Sequence, residues 1–210
     1  MLEPDDEAGQ IAANRAAYAV IADAYAGKWG NTPQWMEAEM ARLRGLLAPG
    51  SRVADIGCGP GHHTQALRGL GLNATGFDLS AEMLASVGTP GVVQANMLAL
   101  PVADAAFDAV WCSAALLHIP RPSVPAALAE FARVLRPGGE MSLAVAEGDG
   151  EAWERVPYDL PGVEDVRRYY VLHRLEPLSE LLEAAGFAVR DDHSRCATQR
   201  NWLHIHARRR

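Results

Sequence analysis

The apolar positions of this chain repeat with two different periods, and the change between them divides it. From Ile11 to Ala26 an alanine-rich stretch carries Tyr18, Ile21 and Tyr25 at i, i+3 and i+7, which predicts a one-sided helix. Thr32-Pro33 reads as an N-cap followed by proline at the first helical position. Met36, Met40, Leu43 and Leu47 line one face of the helix it opens, and Pro49-Gly50 ends it. The rhythm then becomes strand, turn, helix. Strands are predicted at Arg52–Ile56, Asn73–Asp78, Gly91–Ala95, Phe107–Ser113 and Glu140–Ala146. Helices fall at His62–Leu70, from the cap Ser80 to about Val87, and at Pro122–Leu135, closed by Pro137-Gly138-Gly139. Such alternation signals a doubly wound parallel sheet. Strands without polar alternation fit burial on both faces.

The last third departs from this pattern. Gly148–Leu160 holds Gly, Asp, Glu and Pro with one Trp and reads as a loop or lid. Glu176–Ala185 is an amphipathic helix with Leu178, Leu181 and Leu182 on one face. Phe187–Arg195 and Asn201–Arg208 read as two strands, too close in sequence to pair other than antiparallel. The expected organisation is a helical lid segment, residues 1–50, on a single α/β domain, residues 51–210.

Composition narrows the possibilities. With 49% apolar residues in 210, the chain supports one substantial core and is no disordered polymer. Nineteen basic residues stand against 26 acidic ones, net −7, which argues against a surface built to grip a phosphate backbone. The one basic run, Arg208-Arg209-Arg210, reads as a solvated terminus. Cys58, Cys112 and Cys196 are odd in number and widely spaced, so a disulfide framework is not expected and a reducing, cytoplasmic setting is. The opening MLEPDDEAGQ is acidic and polar, unlike a secretory leader, and no run approaches the roughly 18 apolar residues of a membrane span.

The candidate chemistry begins at Val53-Ala54-Asp55-Ile56-Gly57-Cys58-Gly59-Pro60-Gly61, a strand entering a turn with three glycines and then a helix. Glycines let backbone approach a ligand, and the helix start offers free N–H groups. Asp78 ends the second strand 21 residues after Gly57, where a carboxylate accepts from ribose hydroxyls. That acid suits NAD and other adenosine compounds alike. The order D-x-G-x-G-x-G, with Pro60 inside, differs from the G-x-G-x-x-G of dinucleotide sites, and Asp55 would repel a pyrophosphate but suit an ammonium group.

These residues resemble the first motif of class I S-adenosylmethionine-dependent methyltransferases. Gly76-Phe77-Asp78-Leu79-Ser80 resembles the family's ribose-binding motif, and Asn96 to Pro101 its adenine-contacting stretch. Phe107 to Ser113 resembles its fourth-strand motif, and Arg133 to Gly139 the turn before its fifth strand. The resemblance implies a Rossmann-like seven-stranded sheet of order 3-2-1-4-5-7-6 with strand 7 antiparallel. It implies S-adenosylmethionine as cofactor and S-adenosylhomocysteine as product. Gly57, Cys58, Gly59 and Gly61 would hold the methionine part, with Asp55 at its ammonium. Asp78, Leu79 and Met83 would take the ribose side, Asn96 and Met97 the adenine, and Tyr18 and Ser113 would complete the cofactor pocket. One departure is Asn96, where the family usually has Asp; an amide oxygen still accepts, without charge.

The acceptor side is less legible. His118, just beyond the fourth strand, reads either as a base for a hydroxyl or as a pocket wall. By the resemblance, Tyr25, Trp29, Trp153, Tyr169 and Tyr170 are candidates for a planar organic acceptor, or else staples between lid and core. Arg167-Arg168 next to them could meet a phosphate or a substrate carboxylate, and resembles weakly a stretch of methyltransferases acting on modified tRNA uridine. No metal site is expected: His62-His63 and His204-x-His206 read as wall or surface histidines, and Cys58 as a small filler. The leading expectation is methyl transfer to a hydroxyl or carboxylate oxygen of a small molecule. tRNA modification, a non-catalytic cofactor-binding protein and an NAD module are the alternatives.

Overall fold

Among the described residues, eight strands form one sheet whose parallel part ends against an antiparallel edge. The computed structural model describes residues 3–30, 34–158, 160–198 and 200–210. Helix α1, Glu7–Lys28, is capped by Asp6, whose carboxylate accepts from the Gly9 N–H at 2.6 Å. Helix α2 spans Gln34–Gly45; the expected cap Thr32-Pro33 lies outside the described residues. Then follow β1 (Arg52–Ile56), α3 (His62–Gly69), β2 (Asn73–Asp78), α4 (Ala81–Ala85), β3 (Val92–Gln94) and β4 (Phe107–Ser113). Helix α5 is Val124–Val134 and β5 Leu135–Ala146. Next come β6 (Glu151–Arg155), β7 (Arg167–Val171), α6 (Leu175–Ala184), β8 (Phe187–Val189), β9 (Ser194–Ala197) and β10 (Asn201–Arg209).

The strand order is β3-β2-β1-β4-β5-β10-β8, with β10 antiparallel to β5. This is the doubly wound order implied by the glycine-turn resemblance. Strands β1, β2 and β4 match their predicted spans, because each is a short apolar run between turn residues. Three expectations need correction. The segment from Gly148 is not all loop: β6 pairs antiparallel with β7 as a separate hairpin. Pro137-Gly138-Gly139 lies inside β5, opposite a register shift between Phe107 and Ala109, so the turn signal marks an irregularity in the strand. Phe187–Arg195 divides into β8 and β9, both paired to β10.

Each face of the sheet has its own core. On one, Ala54, Val110 and Leu143 pack with Leu128 and Phe131 of α5 and Leu178 and Leu182 of α6. On the other, Val53, Ala74, Ala109 and Trp111 pack with Met36, Met40 and Leu43 of α2 and Leu67 of α3. The period-2 alternation of β10 sends Leu203, Ile205 and Ala207 to the first face. It sends His204 and His206 beneath α2, so neither is a surface histidine; each is 2% exposed. His206 Nε2 stands 2.9 Å from Glu39 of α2, and that contact holds the Glu39 carboxyl down at about 2.

Candidate active site

Beyond Ile56 the chain turns through Gly57 (φ +72°) and Gly59 (φ +54°) into α3. The Gly57 and Cys58 N–H groups both donate to the Phe77 carbonyl, at 2.7 and 3.0 Å, which ties the turn to β2. A Cβ on Gly57 would stand 2.1 Å from the Ala115 Cβ, closer than such atoms come. A Cβ on Gly59 would press on the Met83 Cε at 3.1 Å with Tyr25 beyond it. Bare backbone is therefore required at Gly57 on steric grounds, and the positive φ favours glycine at both positions.

Asp78 closes β2 beside this turn. Its Oδ2 accepts from the Gly59 N–H at 2.8 Å and its Oδ1 from the Ser80 N–H at 2.9 Å. Burial raises its pKa, and those backbone hydrogen bonds oppose the rise. Asp55 faces elsewhere: the Thr64 hydroxyl donates to its Oδ2 at 2.6 Å, joining β1 to α3. Burial pushes the Asp55 carboxyl up to about 7. Asn96 Oδ1 accepts from the Leu98 N–H at 3.0 Å, a local turn that fixes the amide.

One cavity joins these groups to α1. Its floor includes Gly57, Gly59, Asp78, Leu79, Met83, Asn96, Met97 and Ser113. Its other wall holds Asn14, Arg15, Tyr18 and Tyr25 of α1, with His118. Asp55, Cys58, Gly61, Trp29, Trp153, Tyr169 and Tyr170 do not line it. Trp29 is 43% exposed near the end of α1. The alternation of β7 explains the rest: Trp153 and Tyr169 pack on each other at 5.3 Å, while Tyr170 points the other way, its ring 4.7 Å from His118.

His118 sits in an ordered chain of donors. Its Nδ1 lies 3.0 Å from the Tyr169 carbonyl, which only accepts, so Nδ1 carries the proton and Nε2 is the acceptor. The Tyr18 hydroxyl, 2.7 Å from Nε2, donates to it. Arg168 Nη1 in turn donates to the Tyr18 oxygen at 2.8 Å. Burial, with the Arg168 charge second, lowers the His118 pKa to about 3, so the ring is neutral. The two histidines that open α3 have their own partners: His62 contacts the Ala26 carbonyl of α1 at 3.2 Å, and His63 accepts from the Trp111 indole at 3.3 Å. Among the described residues no three metal-ligating side chains converge, and no helix is long and apolar enough to cross a membrane.

Sequence reasoning missed several members of this site. Asn14 lies one turn before Tyr18 on the stripe that continues through Ile21 and Tyr25, so the period held a signal for it. Ala114, at φ +56°, lines the cavity in a conformation an alanine sequence does not announce.

Comparison with known proteins agrees with this geometry. A family model described as a methyltransferase domain matches residues 54–143. The chain is 32% identical over 167 residues to the malonyl-[acyl-carrier protein] O-methyltransferase of Pectobacterium atrosepticum, covering 74% of this chain and 64% of that protein. It is 36% identical over 129 residues to the Enterobacter lignolyticus enzyme of the same name, covering 57% and 50%. The chain thus spans about half to somewhat under two thirds of these relatives. Among solved structures, the Burkholderia thailandensis 1,6-didemethyltoxoflavin-N1-methyltransferase, with its substrate and S-adenosylhomocysteine bound, superposes with a TM-score of 0.78 at 24% identity, covering 100% of this chain and 92% of that one. A [4+2]-cyclase shares the fold at a TM-score of 0.69 and 18% identity, covering 95% and 96%, so the fold alone does not fix the reaction. With the glycine turn, the ribose-side acid and the strand order in place, the methyltransferase domain matched over residues 54–143 and these relatives together support a class I S-adenosylmethionine-dependent methyltransferase.

Proposed function

We propose that this chain transfers a methyl group from S-adenosylmethionine to an oxygen of a small organic acceptor. The observation that carries this reading is the single cavity shared by Asp78, Asn96 and the glycine turn on one side and Tyr18, Tyr25 and His118 on the other. The residues fit the cofactor: the turn presents bare backbone where a Cβ would collide, and two backbone N–H groups aim the Asp78 carboxylate. The Gly57–Gly61 backbone would take the methionine part, Asp78 the ribose hydroxyls, and Asn96 with Met97 the adenine. Ser113, which lines the cavity, would lie on the side of the transferred methyl. Asp55 contributes through Thr64, by fixing the turn, rather than by direct contact.

When bound, the cofactor supplies an electrophilic methyl on a sulfonium, displaced in line by a nucleophile, so the protein's task is positioning and exclusion of water. Helix α1 serves that task by covering the turn with Tyr18 and Tyr25. His118 presents no free acceptor nitrogen, because Tyr18 fills Nε2. Proton removal from a hydroxyl acceptor would therefore pass through the Tyr18–His118 pair. The malonyl-[acyl-carrier protein] O-methyltransferase relatives support oxygen as the receiving atom. Arg168 is buried and Arg167, though exposed, pairs with Glu3, which weighs against the pair serving as a polynucleotide grip.

The test is parallel calorimetric titration with S-adenosylmethionine, S-adenosylhomocysteine and NAD. Micromolar binding of both adenosyl compounds and none of NAD is expected, followed by methyl transfer to at least one acceptor in a small-molecule screen. A folded sample that binds neither adenosyl compound overturns the reading.

A further inference from the structure

The amide oxygen of Asn96 is already used inside its own turn. Oδ1 accepts from the Leu98 N–H at 3.0 Å, and the Asn96 carbonyl accepts from the Ala99 N–H at 2.9 Å. Helix α5 braces this turn: the Leu100 N–H donates to Glu130 at 2.6 Å, and Arg133 donates to the Leu100 and Val102 carbonyls at 3.1 and 2.9 Å. A flipped amide would set its N–H groups against the Leu98 N–H, donor facing donor, so the backbone fixes which atom is oxygen. The two polar atoms of an amide diverge from one carbon. With Oδ1 on the turn, Nδ2 is the polar atom left for the cavity that Asn96 lines. It carries two hydrogens, so one remains for a ligand even where the other is used.

The surroundings limit what meets it. Ile11, Ala95 and Met97 pack with Ile119 on one core and line the same cavity. They make an apolar slot suited to a flat ring, with the Asn96 amide as its hydrogen-bonding group. The ribose-side acid is adjacent, since the Ala95 N–H donates to the Asp78 carbonyl at 2.8 Å. On the edge of adenine away from the ribose, the 6-amino group donates and ring nitrogen N1 accepts. A carboxylate at position 96 would take the amino group. An amide N–H cannot, and pairs with N1.

We propose that Asn96 reads the cofactor's base as a hydrogen-bond donor, through Nδ2–H to N1, and that this side chain does not read the 6-amino group. The proposal rests on the reading of this cavity as the cofactor site. It makes Asn96 a specificity-determining residue. In the sequence, Asn in place of the usual Asp is the loss of one charge; in the structure it exchanges an acceptor for a donor.

The experiment is calorimetric titration of the full chain with S-adenosylhomocysteine and three analogues: one with hydrogen in place of the 6-amino group, one with CH in place of N1, and S-inosylhomocysteine, whose N1 carries a hydrogen. Losing the amino group should cost less than threefold in affinity. Replacing N1 by CH, or protonating it as in the inosyl compound, should cost at least fivefold, the cost of an unmade hydrogen bond at a partly buried donor. Asn96→Ala should erase the difference between S-adenosylhomocysteine and the CH analogue. Asn96→Asp keeps an acceptor for the Leu98 N–H but turns an acceptor toward N1, so it should bind S-adenosylhomocysteine more weakly than wild type. Equal or tighter binding by Asn96→Asp overturns the proposal, because the second lone pair of Oδ1 would then be taking the amino group in wild type. So does an amino-group loss that equals or exceeds the N1 loss, or an N1 loss that survives Asn96→Ala. Should Asn96→Ala fail to fold, the wild-type analogue series and Asn96→Asp still decide. A folded wild type that binds none of the four compounds removes the cofactor reading and this proposal together, whereas binding that ranks the amino group above N1 removes the proposal alone.

Discussion

The Asn14 side chain pairs with the backbone of Tyr169 on both sides, its Oδ1 accepting from the N–H at 2.6 Å and its Nδ2 donating to the carbonyl at 3.1 Å. The same Nδ2 donates to the His118 carbonyl at 3.0 Å. One amide on α1 thereby fastens the helix to β7 and to the turn after β4. Tyr18, a turn later, reaches His118 because that fastening holds. The apolar contacts of Ala17 and Ile21 with Val156, Val163 and Val166 lie alongside it.

Replacing Asn14 with Ala leaves the Tyr169 N–H and the His118 carbonyl without this partner, while the Tyr169 carbonyl keeps the His118 Nδ1–H. Each such loss costs about 1–3 kcal/mol, partly relieved by water, so a total loss of about 2–4 kcal/mol is expected. Urea denaturation measures it. Adenosyl-compound affinity should fall as well, since Tyr18 and Tyr25 lose their support; an unchanged midpoint would show that α1 is held by its apolar face alone.

Asp78→Ala removes a carboxylate that two backbone N–H groups already aim. S-adenosylhomocysteine affinity should weaken more than tenfold while the circular dichroism spectrum stays that of the folded chain. Retained affinity would sink the ribose assignment.

For His118→Ala, turnover on the true acceptor should fall more than tenfold with a less than threefold change in S-adenosylhomocysteine affinity. In the wild type, burial and Arg168 keep the ring neutral down to about pH 3. The turnover–pH profile should therefore show no inflection near 6.5 from this residue. Full turnover in the variant would leave His118 as a wall.

The Asp55 carboxyl has an ordinary value of 3.8 and is pushed by burial up to about 7 in the folded chain. Between those values the folded state holds a proton that the unfolded state releases. Its contribution to stability is thus complete below 3.8 and is lost as pH rises through 7. Asp55→Asn keeps an acceptor for Thr64 and does not titrate. The stability of the variant relative to wild type should rise between pH 4 and 8, by at most on the order of 4 kcal/mol. Chemical denaturation across that range checks it, and a flat difference would show that Asp55 is charged throughout.

The floor of the site was readable because its determinants are local. Gly57, Gly59 and Asp78 lie within two strands and the helix between them, and each occupies a turn or strand end that short-range sterics specify. Asp55 shows the limit of such reading. The motif placed it near the ligand, but the alternation of β1 turned its carboxylate to Thr64, in space left by the missing side chain of Gly76. The hairpin was hidden for a different reason. Glu151–Arg155 is half polar and mostly exposed, so its strand character comes from pairing with β7 and not from an apolar period.

By itself, then, the sequence determined the parallel alternation and the backbone cradle, both consequences of local sterics and of apolar runs a few residues long, while the strand order was implied only by the motif resemblance. The tertiary structure alone decided the other wall. Asn14 with Tyr18, His118 and Arg168 come from three places in the chain, with Tyr18 and Arg168 150 residues apart. They meet only because α1 docks on a hairpin whose register sends Arg168 and Tyr170 to one side and Tyr169 to the other. No local period encodes that choice, because it is made by which face of β7 is buried against α1.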